Sequence, residues 1–129
     1  MNLLNPFEKY KQQSVMAATP GELTLMLYEG CLKFLRYGKI YIEKSDIQES
    51  NKNLIKAQNI ISELIDTLDF KYSISKQLMS LYIFINHEIA QANIKKDANR
   101  LDVAIDLVSE LCDTWQQTIQ IDRSNRYVE

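Results

Sequence analysis

Side chains that could do chemistry are few in this sequence, and they stand apart. The single histidine, His87, sits beside Glu88 in "FINHEIAQAN". A general base or a metal ligand needs partners that converge on it, and no Cys or carboxylate cluster at ligand spacing accompanies this imidazole. Cys31 and Cys112 belong to no C-x-x-C and read as small buried hydrophobes in a reducing compartment. Asp66 with Asp69, and Asp102 with Asp106, pair along helix flanks, where acidic residues ordinarily meet solvent. The chain has no Gly-rich phosphate loop, no G-x-S-x-G and no H-E-x-x-H. Lys95, Lys96 and the scattered remaining cations are too sparse for a nucleic-acid surface. Catalysis, a cofactor and a metal are therefore not expected.

What remains is apolar surface and the elements that carry it. The chain has 129 residues, enough for one domain with its own core, and is 46% hydrophobic and 25% charged, as ordinary globular proteins are. Its 3 glycines and 2 prolines are too few for the turns of an all-β fold. A net charge of −2 and a pI near 5.5 offer nucleic acid or anionic lipid no broad attraction. The N-terminus "MNLLNPFEKYKQQ" lacks the basic and apolar regions of a signal peptide, and no long apolar run suggests membrane insertion. The expected location is the cytoplasm.

Four helices are predicted. Thr19-Pro20-Gly21-Glu22 reads as a capping box with proline at the first helical position. It opens a helix in 18–44. Ser45 or Asp46 caps a second in 46–68, Ser73 or Ser75 a third in 73–94, and Asp97 or Asn99 a fourth in 97–119. The short breaks make neighbours antiparallel, so the fold class is all-α, an up-down four-helix bundle. Residues 1–17 are expected to form a short mobile N-terminal segment, and 120–129 a frayed polar tail.

At 100° per residue the second and fourth helices each show one main apolar stripe, with Ile55 the exception on the polar side of the second. The first helix shows two. Leu23, Met26, Leu27, Cys31, Phe34, Tyr37 and Tyr41 form one band. Leu25, Tyr28, Leu32, Leu35 and Ile42 form another. On the third helix Ile74, Leu78, Leu81, Tyr82, Ile85, Ile89 and Ala92 read as core, whereas Met79, Ile83, Ala90 and Ile94 point elsewhere. Asn86 and Asn93, at the edge of that core stripe, suit either a buried register-setting amide or an exposed flank. The surplus bands have three readings: a first helix packed on several neighbours, a groove for a partner's amphipathic helix, or a homodimer contact.

Taken together, "YKQQSVMAATPGELTLMLYEGCLKFL", "LIKAQNIISELIDTLD", "LMSLYIFINHEIAQANIKKDANRLDVAIDLVSEL" and Trp115 resemble the FliS family of flagellar secretion chaperones, over roughly residues 7 to 116. The resemblance implies a cytoplasmic, non-enzymatic helical bundle. It would bind the disordered C-terminal segment of new flagellin, prevent premature polymerisation, and present it to a component of the flagellar type III export gate. It also implies that the N-terminal segment lies over the client cleft and moves aside. Tyr10 would match the family's N-terminal aromatic, in a segment implicated in contacts with a flagellar regulatory protein.

Helical phase then nominates Leu25, Tyr28, Leu32, Met79 and Ile83 for the client surface, with Ile55 beside them and Phe7 and Tyr10 on the lid. The alternative is a homodimeric helical-bundle adaptor with no flagellin client, its second bands pairing with themselves.

Overall fold

The computed structural model describes residues 19–128, with side chains as far as Ile121. Four helices make up the described chain: α1 (Pro20–Glu43), α2 (Ile47–Asp66), α3 (Ile74–Lys95) and α4 (Ala98–Val128). No strand occurs among the described residues. Each helix packs on its neighbours in sequence, and α4 closes the ring against α1. Short connectors reverse the chain each time, so the arrangement is an up-down bundle with α1 and α3 diagonally opposed.

Local chemistry explains the starts. The Glu22 amide donates to Thr19 Oγ1 at 3.2 Å, and the Thr19 amide donates to Glu22 Oε2 at 3.3 Å, completing the capping box ahead of Pro20. Asp46 accepts from the Glu49 amide at 3.1 Å and caps α2. Asp97 accepts from the amides of Asn99 and Arg100 at the start of α4. At α3 neither expected serine caps the helix with its side chain. Ser73 holds the cap position without a side-chain bond, and the buried Ser75 hydroxyl reaches back to the Asp69 carbonyl.

Two connectors turn through left-handed residues that are not glycine, Ser45 at φ 59° and Lys96 at φ 52°. The second is held in place by its own side chain. Lys96 Nζ donates to Ser50 Oγ at 3.0 Å, Asn51 Oδ1 at 2.6 Å and Asn93 Oδ1 at 2.5 Å, which uses all three ammonium protons and ties the end of α3 to the start of α2. Burial pushes this ammonium below the usual lysine range. At the far end, α4 continues to Val128 past the expected stop near 119, because "QIDRSNRYV" holds neither Gly nor Pro to break it.

The core runs along the bundle axis through Leu35, Leu54, Ile61, Ile85, Ile89, Leu101 and Val108, all fully buried. α1 and α2 approach so closely at Gly38 that an added Cβ would lie 2.3 Å from Leu54 Cδ2 and 2.7 Å from Leu54 Cγ. At Gly30 the same addition would meet only Ile60 Cδ1, at 3.5 Å, an ordinary contact. The two glycines should therefore answer alanine with opposite signs. Gly38→Ala gains about 1 kcal/mol of helix propensity but overpacks a fully buried leucine at a cost of about 1–3 kcal/mol. Gly30→Ala keeps the propensity gain. Thermal unfolding should show a Tm lowered by a few degrees for Gly38→Ala and raised for Gly30→Ala.

Candidate functional site

The expected client residues divide between two places. Tyr28 is fully buried, and Leu32 is 9% exposed; both belong to the core. The Tyr28 hydroxyl forms a hydrogen bond with the Tyr82 hydroxyl across the bundle. Its ring meets Trp115 edge-on, with centroids 5.8 Å apart at 87°. Trp115 Nε1 in turn donates to the Gly21 carbonyl at 2.9 Å, which ties α4 to the first turn of α1. Burial, and then the bond to Tyr82, push the Tyr28 hydroxyl well above the usual tyrosine range.

This corrects the reading of the first helix. Its buried positions are Tyr28, Cys31, Leu32, Leu35 and Gly38, so most of the band read as surplus is core. The physical reason is that α1 has two neighbours. Gly30 and Gly38 mark the flank toward α2, while Tyr28 and Lys39, bonded to Asp102 at 2.8 Å, mark the flank toward α4. Partly buried Leu25 shares the second flank with Tyr28 and Leu32 by helical spacing. None of these three can reach a groove on the far side of the bundle.

Ile55, Met79 and Ile83 lie instead along one groove between α2 and α3, at its two ends. Asn86 sets the register, its Nδ2 donating to Ser62 Oγ at 3.3 Å and to the Gln58 carbonyl at 3.5 Å, so α2 and α3 face each other antiparallel with Asn86 opposite Ser62. Ile55 lies two turns from Ser62, and Met79 two turns from Asn86, each on the same helix face, so in the antiparallel pair they flank the Asn86–Ser62 contact on opposite sides. The outcome is one outward groove between α2 and α3. Ile55 is 50% exposed, Ile83 50% and Met79 36%, and Ile94 continues the line beyond Asn93.

Sequence reasoning missed further exposed apolar residues outside this groove. Phe70 and Tyr72 in the α2–α3 connector are exposed, as is Phe84 on the flank of α3 that faces α4. Ile74, expected in the core, is 53% exposed at the first turn of α3. Two aromatics inside the polar break "DFKYS" were the available signal. The connector borders a hollow of about 360 Å³ whose wall includes Tyr72, Ile74, Leu78, Tyr82 and Trp115. Phe7 and Tyr10 lie outside the described residues.

The reactive groups are occupied structurally. Burial pushes the Cys31 thiol up to about 12 and the Cys112 thiol up to about 11, so both are protonated at neutral pH. Arg100 Nε donates to Glu88 Oε2 at 2.9 Å and holds that carboxyl below its usual range. His87 is exposed. Among the described residues no group of three or more His, Cys, Asp or Glu side chains could hold a metal, and no helix is long and apolar enough to cross a membrane. The arrangement offers contact surface.

Residues 3–122 match the family described as flagellar protein FliS. The chain belongs to that family. It is 46% identical over 127 residues to the flagellar secretion chaperone FliS of Bacillus subtilis (strain 168), a match covering 98% of this chain and 96% of the relative. The FliS of Vibrio cholerae serotype O1 is 34% identical over 85% of each chain. A solved structure described as a flagellar chaperone from bacteria superposes with a TM-score of 0.73, covering 89% of this chain and 98% of its own at 21% identity, which supports the FliS bundle fold.

Aspartate substitutions should separate core from groove. In Leu32→Asp a charge enters the core without a partner, at a cost of at least about 3 kcal/mol, and the helical circular-dichroism signal should collapse. Ile83→Asp should keep that signal and shift the urea midpoint little, since surface changes typically fall within about 0.5 kcal/mol.

Proposed function

We propose that the chain is a cytoplasmic export chaperone that binds the C-terminal segment of flagellin along the α2–α3 groove. While bound, the segment is kept from polymerising, and the complex is handed to a component of the flagellar type III export gate. The observation that carries this reading is the line of half-exposed apolar residues, Ile55, Met79 and Ile83, on a bundle whose core closes without them. Family membership supplies the flagellar context.

The physics suits a client that is disordered when free. An amphipathic helix of about four turns laid in the groove would cover Met79 and Ile83 at one end and Ile55 at the other with anchors at i, i+3, i+4, i+7 and onward. Half-exposed isoleucines gain roughly 1 kcal/mol each on full burial, so several modest contacts must together offset the ordering of the client. Asn86 and Ser62 would give the groove a polar centre that fixes register. Phe7 and Tyr10 remain assigned to the N-terminal lid, and that segment to contacts with a flagellar regulatory protein, without support from the described residues. Neither enzymatic activity nor a cofactor is part of the proposal, and release is a hand-over at the gate.

The homodimeric adaptor loses half its support, because most of the second band of α1 is buried within the protomer. Of the two second bands, that of α3 is the one left outward to pair with itself.

Calorimetric titration with the C-terminal segment of flagellin from the same organism tests the proposal. One-to-one binding with a large negative heat-capacity change is expected. An Ile55→Asp/Ile83→Asp variant should bind at least about tenfold more weakly, a loss of about 1.4 kcal/mol. Absence of binding by the unaltered chain would overturn the reading. A constitutive dimer by light scattering, unchanged by the segment, would favour the adaptor.

A further inference from the structure

The neighbouring outer groove, between α1 and α2, carries a separate set of features. Beside the start of α1 lies a hollow of about 580 Å³, walled by Leu23, Met26 and Leu27 with Glu63 in the last turn of α2 and Thr67 just after it. Further along the groove, two ammonium groups share one aromatic ring: Lys33 Nζ stands 4.7 Å and Lys56 Nζ 5.3 Å from the Phe34 centroid. Among the described residues Lys33, Lys56 and Glu63 make no ion pair. Two like charges over one ring repel each other, and a carboxylate brought between them would relieve that repulsion.

Glu63 and Lys56 occupy one face of α2, seven residues apart, or about 10.5 Å along the axis. The groove thus has an acidic pole at the apolar hollow and a basic pole two turns away. Between the poles the floor is apolar, with the Ile60 side chain resting against Gly30.

We propose that this groove docks an amphipathic helix of a second protein, distinct from the client in the α2–α3 groove. The helix would place apolar side chains in the hollow, an Arg or Lys beside them against Glu63, and a carboxylate two turns on between Lys33 and Lys56. The order of charges sets the direction in which that helix lies. The inference stands on the charge pattern and does not depend on the identity of the client.

The probe is a labelled, alanine-based helical peptide of about 16 residues. It carries leucines as anchors, an Arg beside them and a Glu seven positions away; a control peptide exchanges the Arg and the Glu. Fluorescence anisotropy on the full-length chain should show the matched peptide binding at least about tenfold more tightly than the exchanged one. A Lys33→Glu/Lys56→Glu/Glu63→Lys variant, folded by circular dichroism because all three positions are exposed, should reverse that preference. Both results should persist when the chain is saturated with the flagellin C-terminal segment. Equal binding of the two peptides, or a preference that the variant leaves unreversed, would overturn the charge pattern. Displacement of the matched peptide by the flagellin segment would overturn the assignment to a second protein. If the flagellin segment fails to bind at all, the client reading falls while the peptide comparison still decides this one.

Discussion

A hydrogen bond between two tyrosine hydroxyls, Tyr28 on α1 and Tyr82 on α3, spans the diagonal of the bundle, and the placement of every other surface follows from it. Both rings are large and almost wholly buried, so their polar ends must find a partner inside. Meeting each other satisfies both. Trp115 closes the same cluster against the Tyr28 ring and binds the Gly21 carbonyl, so the diagonal contact also fixes where α4 sits. Once α1 turns Tyr28 inward, Leu32 and Leu35 follow by helical spacing, and the core is complete. The apolar surface left over in the α2–α3 groove lies away from the α1–α4 side of the bundle.

Much of this was legible in the sequence, where the governing interactions are local. The Thr19 capping box depends on residues within one turn, and Asp46 and Asp97 cap for the same reason. The single stripes of α2 and α4 were readable because each has one dominant buried arc. The first helix resisted, since a chain packed between two neighbours buries two arcs, and phase alone does not say which one faces the core. The band containing Tyr28 and Leu32 therefore read as spare while Leu23 and Tyr37, in the band read as core, are exposed. On α3 the outward positions Met79 and Ile83 were readable, but Ile74 was not, because it stands at the helix start with no neighbour over it. The polar composition after Ile119 suggested fraying, whereas helix continuation depends on the absence of Gly and Pro.

A protein that holds an aggregation-prone partner must itself expose apolar surface without aggregating. Here that surface is divided. Ile55, Met79 and Ile83 are interrupted by Asn86, Ser62 and Gln58, so no part of the groove is a continuous apolar sheet. In the neighbouring α1–α2 groove, Lys33 and Lys56 cover the face of Phe34. Both grooves expose enough to attract a helix with the right pattern and too little to attract arbitrary apolar chains. A rigid core under each makes them preformed, which reduces the ordering cost to that of the partner.

The central claim is that the spare apolar surface of α2 and α3, rather than the surface of α1, receives the client. Methyl-resolved NMR of the chain labelled at Ile and Met, recorded with and without the flagellin C-terminal segment, addresses it most directly. The account predicts shifts at Ile55, Met79 and Ile83, with the core methyls of Ile61, Ile85 and Ile89 nearly unmoved. Shifts confined to Met26 and the neighbouring α1–α2 methyls, or spread through the core, would contradict it.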